Sequence, residues 1–532
     1  MWQQNYTPVS GSLPLSALVA ALPILVLLLL LGVLRKPAWM ASLAGLGAAA
    51  AVAAGVYGMP PGRLAGAVTF GAAFGLFPIG WVVFSAILLY RVTLESGKFD
   101  ALKDSIGHLT DDPKLQALLI AFAFGAFIEG AAGFGTPVAV AAAMLAGLGF
   151  EPFYAAAICL LANTAPVAFG SIAIPITTLA VTTGLPLDRL SAGVGRICAP
   201  VSLFVPAYLI VVMSGWKGLR AILPAAALCG VSFAATQFVI SNFVSPQLTD
   251  ILASLAAMLS LVVFCGAGGA LGARPARSHP ARSAGATVLA WMPYLLLVVL
   301  ILLWSQLQTR LNSLNLPLQW PALHNTIQRM PPVVPKPAPY AAVYTFSWLS
   351  ASGTACLFAA ILGAIVVGLK PSQFVRVIGH TAKQLALAEL TLAAVLALAF
   401  LMNYSGATAT LGLAFAATGV LFPYFSALLG WLGVFLTGSD TSSNALFGSL
   451  QVVTAGRLGM NPVLMAAGNS AGGVMGKMIS LTSIAVAAAA TSMRHDQEAL
   501  LFRFTLKHSV LLASAIGLIV MFYAYVAPFW AP

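Results

Sequence analysis

The chain has 532 residues, 60% of them hydrophobic and only 7% charged, with a formal net charge of +12. A soluble domain carries about 25% charged residues, so there are too few charges here to cover a water-facing surface. That excludes a soluble enzyme, a nucleic-acid binder and a disordered chain. A mean hydropathy of +0.97 fits a chain solvated by lipid. At about 20 apolar residues per span, the length allows roughly 12–14 transmembrane segments. The expected fold class is an all-α polytopic membrane protein.

Apolar runs occur at 13–34, 38–57, 64–90, 115–149, 153–183, 197–213, 221–243, 250–270 and 286–305. They resume at 345–369, 385–402, 406–424, 428–458, 462–490 and 509–529. The first run has no basic residue before it and is too long for the core of a cleavable signal, so it reads as a span. Basic residues fall in alternate connections: Arg35 and Lys36; Arg91, Lys98, Lys103 and Lys114; Arg274, Arg277 and Arg282; Lys370, Arg376 and Lys383; Arg494, Arg503 and Lys507. Placing these loops in the cytoplasm puts both termini in the periplasm. The segment 306–344, rich in proline and poor in charge, reads as an irregular extracytoplasmic connection.

The five cysteines lie in apolar runs without a C-x-x-C pair and read as small buried hydrophobes. All six histidines read as lying in loops or at span edges. No metal spacing, nucleotide loop or catalytic pair is visible, so no cofactor, no metal and no enzymatic activity are expected.

An internal repeat is visible. Ser96-Gly97 matches Ser405-Gly406, and Gly125–Gly130 matches Gly433–Gly438. Leu148–Pro152 matches Leu458–Pro462, and Asn163-Thr164-Ala165 matches Asn469-Ser470-Ala471. The stretch 91–114 carries four basic residues and its counterpart 403–423 none, so the two copies read as inverted. The expected organisation is an N-terminal half, 1–285, holding the first copy (about 64–213), and a C-terminal half, 345–532, holding the second (about 370–508). A span and an extracytoplasmic loop, 286–344, join them. Inverted repeats are a transporter architecture with the site near the midplane.

Irregular backbone at membrane depth persists only where protein buries it or where it lines a cavity. The first copy is interrupted by Gly, Pro and polar residues at 129–137 and 163–166, the second at 437–444 and 468–473. Broken helices leave amide donors at their N-terminal ends, and these attract anions. The polar side chains in the interruptions are therefore candidates for substrate binding: Thr136, Asn163, Thr164, Thr441, Ser442, Ser443, Asn444, Asn469 and Ser470. A carboxylate at the centre of a span costs about 2.5–3.5 kcal/mol, so intramembrane acids mark function. Glu129 and Asp440 are read as the proton-coupling pair. The hydroxyl and amide cluster around Asp440 also admits a small cation, which makes a sodium-coupled carboxylate symporter the alternative. Lys477, alone within 462–490, suits a substrate carboxylate or one of the two acids. Glu389, Arg196 and Arg457 read as residues snorkelling from span ends.

The stretch GAFIEGAAGFGTPVAVAAAMLAGLGFEPFYAAAICLLANTAPVAFGSIAIPI (Gly125–Ile176), GVFLTGSDTSSNALFGSLQVVTA (Gly433–Ala455) and MNYSG (Met402–Gly406) closely resemble the bacterial lactate permease family. The resemblance implies a secondary active transporter of the bacterial inner membrane that takes up L-lactate, D-lactate and glycolate by proton symport. Its partners would be these small molecules, protons and lipid; a homo-oligomer stays open. The motif residues Gly130 and Pro137 stand intact beside the candidates above. The pairs Asn163-Thr164 and Asn469-Ser470 are also similar to the hairpin tips of dicarboxylate and citrate carriers, which implies re-entrant hairpins and an elevator-like movement. On that pattern Asn163 or Asn469 would bond the 2-hydroxyl of the substrate.

Overall fold

The computed structural model describes residues 1–107, 109–133, 135–266 and 284–531. The expectations for Arg274, Arg277 and Arg282, for His108 and His279, and for Phe134 of the first motif lie outside the described residues. A short strand, β1 (Trp2–Gln3), precedes α1 (Leu13–Leu28) and α2 (Ala38–Gly55). α3 (Pro61–Phe74) and α4 (Trp81–Glu95) form one span, opened at 75–80 where Phe77 is extended. α5 (Lys98–Gly107) and α6 (Pro113–Gln116) follow, and wide helical turns over 117–124 lead into α7 (Gly125–Ala131). Then come α8 (Thr136–Gly147), α9 (Pro152–Ala162), α10 (Gly170–Thr183), the long bent α11 (Leu187–Phe243), α12 (Thr249–Gly266) and α13 (Ala284–Asn312).

Strands β2 (Leu316–Gln319), β3 (Ile327–Arg329), β4 (Ala338–Pro339) and β5 (Val343–Phe346) come next. The second half holds α14 (Ser352–Val366), α15 (Pro371–Ser405), α16 (Ala407–Phe415), α17 (Phe422–Thr437), α18 (Asp440–Leu458), α19 (Pro462–Gly476), α20 (Leu481–Ala490) and α21 (His495–Tyr525). Among the described residues ten helices are long and apolar enough to cross a membrane, or twelve if each of two bent pairs is one span. The chain is a multi-pass membrane protein of broken helices.

Three readings change. The segment 306–344 is not irregular: α13 runs on to Asn312, and β2–β5 build two small sheets, one of them with β1. Its prolines are tolerated because Pro339 lies on the outer strand β4 and Pro317 in a two-stranded pair. Glu389 is not at a span end but midway along α15, half-buried, with one carboxylate oxygen lacking a partner. Its carboxylate closes on Gly80, where the α3–α4 span opens. His508 lies within α21, hydrogen-bonded through Nδ1 to the Tyr208 hydroxyl.

The two segments read as copies share several local features. Left-handed residues stand at Gly97 and Gly406, at Gly149 and Gly459, and at Gly184 and Ser492. Glu151 caps α9 by accepting from the amides of Phe153 and Tyr154, and Asn461 caps α19 by accepting from those of Val463 and Leu464. Packing is exchanged between the copies: α10 lies on α18, and α20 lies on α8 and α9. α17 and α19 touch backbone to backbone, with Gly430 against the Asn469 carbonyl and Gly472 against that of Ala427. Small residues permit such approach where lipid removes the hydrophobic drive between helices.

Candidate functional site

Helix ends converge on one cavity of about 260 Å³. In the first copy α7 ends at Ala131, and the chain turns through left-handed Gly133 and Gly135 before Thr136-Pro137 starts α8. α9 ends at Asn163, and three successive left-handed residues, Ser171, Ile172 and Ala173, precede the regular part of α10. The pair of helices on either side of this break is bent by 65°. In the second copy α17 ends at left-handed Gly438, Ser439 caps α18 by accepting from the Ser442 amide, and Ser480 caps α20 by accepting from the Ser483 amide. Gly135, Ile174, Asp440 and Thr482 therefore bring the N-terminal ends of α8, α10, α18 and α20 to the same wall. Each such end attracts a nearby anion by about 0.3–1 kcal/mol. The lining also includes Leu27 of α1, Leu31 just beyond it, Ser42 of α2, and Thr391, Leu392 and Val395 of α15.

The charged groups of the wall are Glu129, Asp440 and Lys477. Glu129 is buried, and its Oε2 accepts from Asn163 Nδ2 at 2.8 Å. Gly170 lies so close to this carboxylate that a Cβ there would overlap it. Asp440 is 3% exposed; its Oδ2 accepts from Ser470 Oγ at 2.7 Å and from Asn444 Nδ2 at 3.2 Å, while Oδ1 has no partner. Behind it, Gln451 donates to Asn469 at 3.0 Å, and Asn469 donates to Asn444 at 2.9 Å. The amides thus pass their donors in one direction, toward Asp440. Lys477 Nζ donates to the Gly438 carbonyl at 2.8 Å, at the C-terminal end of α17. It reaches neither carboxylate within ion-pair distance among the described residues, so its charge stays available to a bound anion. Ser171 donates to the Ala132 carbonyl at 2.7 Å, joining the two breaks of the first segment, and Asn444 donates to that of Pro175 at 3.2 Å, tying the second segment to the first.

A second cavity of about 820 Å³ shares Leu31, Ala38, Thr437 and Thr482 with the first. It is lined by Arg35, Lys36, Arg503 and Glu498. The central cavity therefore adjoins a basic vestibule.

The profile of the L-lactate permease family matches residues 16–527. The chain belongs to this family. The L-lactate permease of Escherichia coli K12 is 43% identical over the full length of both chains. That of Bacillus subtilis 168 is 44% identical, again over all of both. The glycolate permease GlcA of Escherichia coli K12 is 44% identical over 99% of this chain and 98% of its own. Two solved transporters share a looser likeness. They are MtrF of Neisseria gonorrhoeae (TM-score 0.45, 14% identity, 87% of this chain and 84% of that one) and YdaH of Alcanivorax borkumensis (0.44, 15%, 87% of each).

Within this permease, Glu129, Asp440, Thr441, Ser442 and Lys477 line the cavity. Asn163, Asn444 and Ser470 do not line it but hold the carboxylates, and Asn469 donates to Asn444. Thr136 and Thr164 spend their hydroxyls on carbonyls of their own turns, and Ser443 bonds the Gly430 carbonyl between α17 and α18. Asn163 ends a helix as expected of a hairpin tip. Asn469-Ser470 does not, because α19 continues to Gly476 and the chain breaks only at Ser480. Ser171, Thr482 and Ser483 line the cavity and were not singled out by sequence, whereas Thr437 and Ser439 fell within the interruption 437–444 without being named as binding candidates. The repeat offset was the available signal, since Ser171 and Ser480 lie 309 residues apart at equivalent breaks.

Proposed function

We propose that this permease takes up L-lactate, together with D-lactate and glycolate, by proton symport across the bacterial inner membrane. The observation that carries this reading is the meeting of Glu129, Asp440 and Lys477 with four helix N-terminal ends in one small cavity. The names of the relatives add the substrate class. The volume lies below the roughly 300–1,000 Å³ of sites for drug-sized ligands, which suits an anion of a few heavy atoms. The substrate carboxylate faces Lys477 and the helix ends. Thr441 and Ser442 offer hydroxyls to its 2-hydroxyl group, so plain monocarboxylates bind less well. Site polar groups left unpaired by an analogue are a strong source of discrimination.

Charge balance supports the proton. In the empty cavity Lys477 is offset by one ionised carboxylate. A bound lactate takes over that role, and the displaced carboxylate accepts a proton. One anion and one proton then move without net charge, avoiding about 2.3 kcal/mol per 100 mV of membrane potential. The exchanged packing of α10 and α20 supports two inverted copies, with halves 1–285 and 345–532 joined by 286–344. Their broken helices are the moving body, and α15 with α1 and α2 is the fixed one.

Uptake of labelled L-lactate into proteoliposomes tests the proposal. An inward proton gradient is compared with an inward sodium gradient, with glycolate, D-lactate and pyruvate as competitors. Accumulation on the proton gradient alone, blocked by glycolate and weakly by pyruvate, is expected. Accumulation only with sodium recasts the 439–444 cluster as a cation site, and no flux on either gradient refutes the substrate.

A further inference from the structure

Beyond the cavity, one buried acid is left without a use. Asp250 stands on the first turn of α12 and is 1% exposed. Among the described residues no group donates to either of its carboxylate oxygens. It meets α7 at Gly130, the residue after Glu129, where a Cβ would collide with Asp250 Cβ. It does not line the cavity that Glu129 lines. Its electrostatic neighbours are Glu129 on α7 and Cys198 on α11.

A buried carboxyl without partners is costly in either form: ionised it lacks donors, and protonated its hydroxyl lacks an acceptor. A leucine or valine would suit packing better. Ionisable groups kept inside a membrane protein at such cost are found on proton paths. The position fits that role. Asp250 follows the chain reversal at 244–248, of which Val244 is exposed and Ser245, Pro246 and Leu248 are buried. Glu129, on the helix that Asp250 meets, lines the cavity.

We propose that Asp250 is a second proton-carrying group, which exchanges its proton with Glu129 on the side away from the substrate. This rests on the proton-coupled reading above. The Asp250 carboxylic acid gives its proton to the Glu129 carboxylate, leaving Asp250 ionised and Glu129 neutral. A hydronium ion reaching the start of α12 then reprotonates Asp250 and leaves water. Substrate and proton thus enter the site from different sides of Glu129, and neither blocks the other.

The test uses the full chain in proteoliposomes, as wild type, Asp250→Asn and Asp250→Glu. Three quantities are read: lactate uptake driven by a proton gradient, lactate-dependent proton movement followed with a pH dye, and lactate exchange at equal pH. For Asp250→Asn, gradient-driven uptake and proton movement are expected to fall about a hundredfold, the scale of a lost proton-transfer group. Exchange by the loaded carrier, which needs no proton release, is expected to persist. Asp250→Glu keeps the carboxyl and is expected to retain proton-driven uptake; it also serves if the asparagine variant does not fold. Wild-type coupling in Asp250→Asn overturns the proposal. So does a glutamate variant that folds and exchanges but is uncoupled, or an asparagine variant that loses exchange as fully as uptake. A wild type that ignores the proton gradient refutes the underlying reading, and this inference with it.

Discussion

At the scale of single residues, the structure separates groups that the sequence ranks together. Ser470 and Thr164 both follow an asparagine in a repeated motif. Ser470 donates to Asp440, whereas Thr164 donates to the Leu161 carbonyl of its own helix. A hydrogen bond to a charged group contributes about 1.5–3 kcal/mol. Ser470→Ala is therefore expected to raise the lactate concentration for half-maximal uptake about tenfold, at about 1.4 kcal/mol per decade. Thr164→Ala should change it less than about twofold, since only a local backbone bond is lost. Equal effects of the two would remove Asp440 from the binding site. Glu129 makes a different prediction. Glu129→Gln keeps the Asn163 contact in shape but cannot exchange a proton. It should abolish accumulation on a proton gradient and spare exchange, and normal accumulation would take the proton away from Glu129. Glu129, Asp440 and Lys477 were legible because an ionisable residue inside an apolar run is rare. Asp250 was not, because it opens the run 250–270 and looks like a span boundary; only the fold reveals that α12 begins inside protein. Glu389 was misread for the reverse reason: the helix around it extends well beyond the apolar run starting at 385.

At the scale of elements, helix order and most breaks could be read from sequence, but their partners could not. Hydropathy reports that a helix meets an apolar medium and does not distinguish lipid from protein. The approach of α17 to α19 depends on glycines whose neighbours lie some 40 residues away, and nothing in a Gly-rich chain marks which glycines these are. Gly472 abuts the Ala427 carbonyl, whereas Gly47 in α2 has open space around its Cα. Alanine at Gly472 must force the helices apart, and overpacking of this kind costs about 1–3 kcal/mol or more. Gly472→Ala should lower the thermal unfolding temperature in detergent and, because Asn469 and Ser470 ride on the same helix, also weaken lactate uptake. Gly47→Ala should raise stability by up to about 1 kcal/mol through helix propensity. If the two substitutions move the unfolding temperature alike, the close α17–α19 contact is wrong.

At the scale of the molecule, the cavity is lined by two kinds of helix. One set is the broken helices of both copies, the other is α1, α2 and the unbroken α15. That α10 packs on α18, and α20 on α8 and α9, was not legible, because such packing leaves no mark in either segment alone. An opening beside the basic vestibule must close, and another must form, for lactate to pass. In the movement proposed above, the broken-helix body slides along α15. Asn403 near the end of α15 donates to Ser449 of α18 at 3.0 Å, across that seam. In a background with the five native cysteines replaced, Asn403→Cys with Ser449→Cys should be bridged by a short thiol-reactive cross-linker. If the seam slides, bridging stops net uptake and exchange together, and cleaving the linker restores both. Either single cysteine treated in the same way should keep its transport. A bridged protein that still exchanges lactate would mean that α15 and α18 travel as one body, and the fixed wall would then have to be sought in α1 and α2 alone.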